Sequence, residues 1–290
     1  MQQSPDANLD QAWRDASPRV GIQWQPSQST NVYGFWAKGF RGGGLNIRHT
    51  GLGAPPTLFD SETQQAFELG IKQDFFNRRG RLNVSVFQTK ISGIQRDSNI
   101  PDSVLGNVQI ISNAGNATFK GIEAEGRFSI TSNLLVTFQG GYTDGKYSKI
   151  TTDLNGNGVI GDPADLALKI PRLVPWTYGI SLNHDLPIGT WGTMSTRANY
   201  NHRDGAFYTV NNISILPAAD IFDLNVSFKP NDADWLFSLY ANNITNQATW
   251  DSQTQLPNVA ALGGNNTGGS ISINAINKGR VFGAKARINF

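Results

Sequence analysis

Apolar residues recur at every second position along most of this chain, and that period decides what it can fold into. In IFDLNVSFK, Phe222, Leu224, Val226 and Phe228 lie on one parity and Asp223, Asn225, Ser227 and Lys229 on the other. An α-helix would scatter these residues around its circumference, whereas a strand sorts them onto two opposite faces. Ile122, Ala124, Phe128 and Ile130 alternate with Glu123, Glu125, Arg127 and Ser129, and Trp176, Tyr178, Ile180 and Leu182 with Thr177, Ser181 and Asn183. About eleven such segments are expected. They cover residues 17–26, 30–41, 62–75, 80–96, 117–130, 134–147, 174–186, 192–205, 220–230, 234–245 and 279–290.

The connections add a second regularity. Short turns at 26–29, 76–80, 130–133, 187–192 and 230–234 alternate with long polar loops at 42–61, 97–116, 148–173, 206–219 and 246–278. Short turns on one rim and long loops on the other are the pattern of a transmembrane barrel, with periplasmic turns and extracellular loops. Charged residues make up only 16% of the chain, and no run of 18 apolar residues exists, so spanning must be done by strands. The fold class is therefore all-β: an antiparallel transmembrane β-barrel with lipid outside and a wet lumen inside. Tyr33, Phe35, Tyr142, Trp176, Tyr178, Trp235 and Phe290 fall near strand ends, where aromatic girdles belong. A soluble sandwich that binds glycans with calcium, and a plugless passive porin, are the competing architectures.

Eleven strands leave both ends of the sheet running the same way, which simple antiparallel closure does not allow. The chain is expected to be part of a barrel, unless a further strand lies near residues 1–16 or 206–219. A net charge of +2 without a Lys/Arg run points to no nucleic-acid partner, and the absence of cysteine removes disulfides and thiolate chemistry.

Several stretches resemble the C-terminal half of the barrel of a TonB-dependent outer-membrane receptor. They are SPRVGIQWQP and NVYGFWAKGFRGGGLN near the start, FELGIK, NAGNATFKGIEAEGRF, LFSLYANNITNQ and the closing strand, together spanning nearly all of 17–290. The resemblance implies a bacterial outer-membrane location and about half of a barrel of roughly 22 strands filled by a plug. It implies uptake of a scarce ligand, with a ferric siderophore as first expectation, and TonB contact only through the N-terminal plug. No plug, TonB-contact segment or leader is recognised in residues 1–290, which are read throughout as barrel. The last strand, ending at Phe290, resembles the signal read by the barrel assembly machinery.

Candidate chemistry is sparse. In DLNGNGVIGDPAD, Asp153, Asn155 and Asn157 with Gly158 match the first half of a calcium loop, and Asp162 and Asp165 supply shifted carboxylates. No other cofactor is expected. Gly156, Gly158 and Gly161 have GxGxxG spacing without the strand and helix that nucleotide binding needs. His49, His184 and His202 are far apart and read as structural or surface residues, and Glu123 and Glu125 beside Arg127 read as a luminal ion-pair ladder. With neither a triad nor a metal cluster, the chain is not expected to be an enzyme. The glycine-rich stretches at 42–44 and 262–270 read as mobile loops, and Arg41, Arg203 and Trp250 are the loop residues expected to meet a small-molecule ligand.

Overall fold

A computed structural model describes residues 11–46, 57–102, 106–256 and 271–288. In chain order the elements begin with β1 (Arg19–Ser27), β2 (Thr30–Arg41), β3 (Gly44–Asn46), β4 (Thr57–Phe59), β5 (Glu62–Phe75) and β6 (Gly80–Ser92). Next come β7 (Gln95–Asp102), β8 (Gly106–Asn113), β9 (Gly115–Ser129), β10 (Leu134–Ile150), the short helix α1 (Pro163–Ala167), β11 (Trp176–Ile188) and β12 (Gly192–Arg203). The last are β13 (Ala206–Phe207), β14 (Ile215–Leu216), β15 (Ala219–Pro230), β16 (Trp235–Asn242), β17 (Trp250–Leu256), β18 (Ile271–Ile276) and β19 (Val281–Ile288).

Eleven of these strands form one sheet in the order β1-β2-β5-β6-β9-β10-β11-β12-β15-β16-β19, with every neighbour antiparallel. Each coincides with one expected segment. Two end early for a local reason: Gly93 takes φ +67° after β6, and Asn243 takes φ +52° after β16. Asn is among the few side chains that tolerate the left-handed region. Here it is held there by its backbone N–H on Asp223 Oδ1 (2.8 Å) and its Nδ2 on the Gln247 carbonyl (2.8 Å).

Directly paired residues of an antiparallel sheet share a face, so the register can be followed from strand to strand. Ile22 pairs with Gly34, Gly34 with Leu69, Leu69 with Val86, Val86 with Ile122, Ile122 with Tyr142 and Tyr142 with Trp176. On the far side Ile180, Tyr200, Phe222, Leu224, Leu239, Ala284 and Phe282 continue this face. It is uncovered: Ile22 is 75%, Leu69 58% and Phe282 66% exposed. A sandwich would bury this stripe between two sheets, and the single layer here excludes that competitor. The opposite face carries Glu68, Asn83, Ser85, Glu123, Glu125, Gln139, Thr177, Asn201 and Asn225 and is the lumen wall.

The register corrects two girdle assignments. Tyr33 and Phe35 face inward and Trp36 takes the outward place, because Gly34 and Trp36 pair with Leu69 and Phe67. Tyr142, Trp176, Tyr178 and Trp235 face outward as expected, and Tyr142 and Trp176 form a ring pair at 4.8 Å. Phe290 lies outside the described residues.

Among the described residues the sheet gains no twelfth strand. Residues 11–18 are irregular, and β13 pairs only with β14, in a separate two-stranded ladder. The sheet is therefore open at β1 and β19, two edges that run in the same direction.

An arginine placed on the lipid face must desolvate its charge in hydrocarbon, whereas on the wall it stays in water. Ile180→Arg is expected to destabilise the folded barrel by about 2–4 kcal/mol, and Ser181→Arg by well under half of that. Reversible urea unfolding in lipid vesicles measures both; equal losses would reverse the assignment of faces.

Candidate functional site

The lumen wall is built from cross-strand hydrogen bonds. Tyr33 donates its hydroxyl to Glu68 Oε1 (2.8 Å), and Asn83 Nδ2 donates to Glu125 Oε1 (2.8 Å). Arg81 grips Asp74 with two nitrogens, at 2.5 and 2.9 Å, and Ser195 donates to Asp185 (2.5 Å). These contacts correct the expected ladder along β9. Residues two apart on one strand are about 6–7 Å apart, while cross-strand neighbours sit about 5 Å apart. Glu125 accordingly bonds Asn83 on β6, and no ion pair joins Glu123 or Glu125 to Arg127 among the described residues. Glu123 and Glu125 therefore face the lumen as exposed carboxylates.

Above the wall the described parts of the long connections are folded. The hairpins β3–β4 and β7–β8 are joined by Asn46, whose side chain donates to the Ile111 carbonyl and accepts from the Ile111 N–H, both at 2.8 Å. Gln95 donates Nε2 to the carbonyls of Gly42 (2.9 Å) and Asp60 (3.0 Å), and its backbone N–H bonds Glu62 (2.6 Å). Gly43 is packed so closely that a Cβ would lie 2.2 Å from the Phe59 carbonyl oxygen and 2.6 Å from the Trp13 ring. The glycine run at 42–44 thus serves close approach, which corrects its reading as a floppy loop; residues 262–270 lie outside the described residues. Beneath these hairpins Ile94, Ala114, Ala117, Tyr147, Ile150, Leu154 and Ile170 form a small buried core.

The 153–165 loop closes on itself. Asp165, fully buried, accepts from the backbone N–H groups of Leu154 (3.1 Å), Asn155 (3.0 Å) and Gly161 (3.0 Å). Asp153 accepts from Gly156 (2.7 Å), Asn157 (3.3 Å) and Gly158 (2.7 Å). Asn155 and Asn157 donate their Nδ2 groups to Asp162, at 3.3 and 2.6 Å, and Asp162 caps α1 by accepting from Asp165 N–H (2.7 Å). The five calcium candidates do come together, but as acceptors and donors for one another and for the backbone. Among the described residues no group of three or more His, Cys, Asp or Glu side chains has the arrangement of a metal site. A helix does follow the glycines, contrary to expectation, but it has five residues and its N-terminal N–H group is already taken by Asp162.

The ligand candidates are spread around the rim. Arg41 ends β2 and is exposed, and Arg203 ends β12 and donates to the Pro217 carbonyl (3.3 Å). Trp250 opens β17 with a buried indole N–H that finds no acceptor. No hydrogen bond, ion pair or ring contact joins any two of them among the described residues. His202 sits on the outward face, with Nδ1 2.8 Å from Asp220 and Nε2 3.1 Å from Asp204, stacked on Tyr178 at 4.5 Å. Tyr200 donates to the same Asp220 oxygen (2.6 Å). This fastener ties β12 to β15 at the extracellular girdle. Sequence reading missed it because Asp220 lies 18 and 20 residues from His202 and Tyr200 and meets them only through register. His184 also lies on the outward parity, and His49 is outside the described residues.

Hydrogen bonds from Asp165 N–H and then from Asn157 hold the Asp162 carboxyl below the usual carboxylate range. A depressed carboxyl stabilises the fold above its unfolded pKa of about 3.9, and that contribution fades as pH falls through the folded value. Amides of α1 and the 153–165 loop are expected to lose protection as the pH falls below about 4, read by hydrogen exchange corrected for intrinsic rates. Asp162→Asn, which still accepts at the cap, is expected to flatten that dependence.

Comparison with known proteins agrees with this architecture. The sequence matches the family described as TonB dependent receptor-like, beta-barrel, over residues 2–246. The fold is similar to that of the ferric yersiniabactin uptake receptor FyuA from Yersinia pestis, at a TM-score of 0.73 and 19% identity, covering 94% of this chain and 37% of that one. It is also similar to the siderophore receptor PiuA from Acinetobacter baumannii, at a TM-score of 0.64 and 16% identity, covering 93% and 35%. A copper transporter, OprC, matches at a TM-score of 0.63 and 13% identity, covering 94% and 39%. The chain thus spans little more than a third of the length of these proteins. With the family matched over most of its residues and the sheet superposing on such barrels, the chain belongs to the TonB-dependent receptor-like β-barrel family, whose members are transport proteins of the bacterial outer membrane.

Proposed function

We propose that this chain is the C-terminal half of the barrel of a receptor that takes up a scarce small-molecule ligand, a ferric siderophore before other chelates. One observation carries the reading: an eleven-stranded sheet, greasy outside and hydrogen-bonding inside, has two open edges that run the same way. Unpaired backbone groups at such edges are costly in hydrocarbon. An antiparallel partner must therefore present two edge strands running the opposite way, so the closing segment itself holds an odd number of strands. Two copies of this chain would meet only through parallel seams.

The exposed carboxylates of Glu123 and Glu125 suit a plug that fills the lumen with hydrogen-bond donors, and TonB would be reached through that plug. The strand ending at Phe290 would engage the barrel assembly machinery. Arg41, Arg203 and Trp250 would line the ligand entrance, with the two arginines offering bidentate donors to an anionic chelate. The 153–165 loop enters this proposal as a stiff rim element whose carboxylates are occupied by amides rather than by calcium. Siderophore-receptor neighbours support the ligand class, and the copper transporter among them keeps the metal itself open.

The test is binding to cells displaying the complete receptor, using ferric hydroxamate and ferric catecholate complexes and a copper salt. Saturable binding of one ferric chelate, weakened about 10-fold or more by Arg203→Ala through loss of a charge-assisted hydrogen bond, is the expected result. Unsaturable passage of uncharged sugars with no chelate binding would replace it with a passive pore. Calcium or EDTA is expected to leave binding unchanged.

A further inference from the structure

The upper ends of β6, β9 and β10, on the side of the long connections, carry lysines on the outward face. Strand pairing sets Lys90, Thr118 and Lys146 in one row across these three strands. Lys120 lies one step below, paired with Gln88 and Asp144, and Ile122 and Tyr142 of the lipid-facing stripe lie one step below that. The register shift between Tyr147 and Lys149 brings Lys149 opposite Asn116, and so onto the same face one step above Thr118. Four lysines therefore surround Thr118. From the rise per residue and the usual strand tilt they stand roughly 5 to 15 Å above the Tyr142–Trp176 ring pair. That is the level of the lipid headgroups.

The charge there is not balanced. Lys90, Lys120 and Lys149 are exposed and make no ion pair among the described residues. Lys146 lies 3.3 Å from Asp144, the acid of this patch. Lys38 continues the row by way of Gln65, but it is held by Asp15 at 2.6 Å. Four cations against one carboxylate leave a net charge of about +3 on a patch roughly 10 Å, or two strand spacings, across. Like charges on neighbouring strands repel, and an anion seated among them relieves that repulsion.

We infer that this patch binds the phosphate groups of an outer-leaflet lipid, whose acyl chains run down the stripe of Ile122, Val86 and Leu69. Ammonium–phosphate hydrogen bonds are charge-assisted and short, and they gain strength beside hydrocarbon, where water is scarce. A free phosphate or a soluble polyanion would use the lysines alone. A phosphorylated lipid uses both the lysines and the apolar surface directly beneath them, and the register puts the two in contact. The inference rests on the outer-membrane family and on no choice of transported ligand.

The test uses the complete receptor, in which the remaining strands close the barrel, purified in dodecyl maltoside. It is titrated with bisphosphorylated lipid A, with the same lipid after enzymatic removal of its phosphates, and with inorganic phosphate, and bound molecules are counted by native mass spectrometry. Saturable binding of the phosphorylated lipid is expected, at least tenfold tighter than that of either other probe. Lys90→Gln, Lys120→Gln and Lys149→Gln together are expected to weaken it at least tenfold, and arginine at the same three positions to preserve it. Unchanged heat-modifiable electrophoretic mobility reports an intact barrel in each variant. Equal binding of the two lipid forms, wild-type binding by the glutamine variant, or inorganic phosphate bound as tightly as the lipid overturns the site. The comparison of lipid forms needs no variant, so it decides the matter even where a substitution prevents folding. The uptake reading fails separately, by the absence of chelate binding to a receptor that still holds the lipid.

Discussion

A bilayer offers no water to an unpaired peptide group, and the whole chain is organised by that constraint. Each lipid-level strand must exchange its N–H and C=O groups with a neighbour, and with strands this long the economical arrangement is an antiparallel meander with tight turns on one side. The side chains then have no choice of face. Ile22, Leu69, Ile180 and Phe282 stay exposed because hydrocarbon, not a second layer of protein, is their solvent, and Glu68, Asn83, Glu123 and Asn201 are tolerated because the wall behind them is wet.

The same requirement takes a different form above the membrane. There the chain must make compact structure without a large core, and side-chain amides substitute for strand partners. Asn46 mimics a strand neighbour for Ile111, Gln95 and Asn113 collect stray carbonyls, and Asp165 gathers three amides of the 153–165 loop. With the small cluster around Ile94 and Tyr147, these bonds turn what composition describes as polar loops into fixed walls. A receptor gains from this, because walls that are already ordered leave more of the contact energy for the ligand.

Legibility followed the range of the interactions. The strands of the main sheet were readable because period-2 alternation is local, and each lipid-facing stripe reports its own environment. Their exact ends were less so: β16 stops at Asn242 because Asn243 is captured by Asp223 and Gln247, a contact that no local pattern encodes. Tyr33 and Phe35 were assigned to the girdle from position along the strand, yet one residue of parity sends them to the lumen, where Tyr33 meets Glu68. The calcium-like spacing at Asp153 implies converging oxygens, but spacing does not say whether those oxygens face a cation or the backbone N–H groups that they accept from here. The His202 fastener and the lysines around Thr118 were invisible for the same reason.

The sequence by itself therefore determined the class of fold, the alternation of faces along the strands and the side of the sheet on which connections are long, because each of these is set by a residue's own solvent, although in β2 the outward place went to Trp36 rather than to Tyr33 and Phe35. Tertiary structure alone decided what pairs with what: the cross-strand partner of Glu125, the amide clamps of the rim, the closure of the 153–165 loop and the lysines gathered around Thr118. Those depend on register and on chain segments brought together from tens of residues apart, and a one-residue slip would exchange all of them while leaving the alternation unchanged.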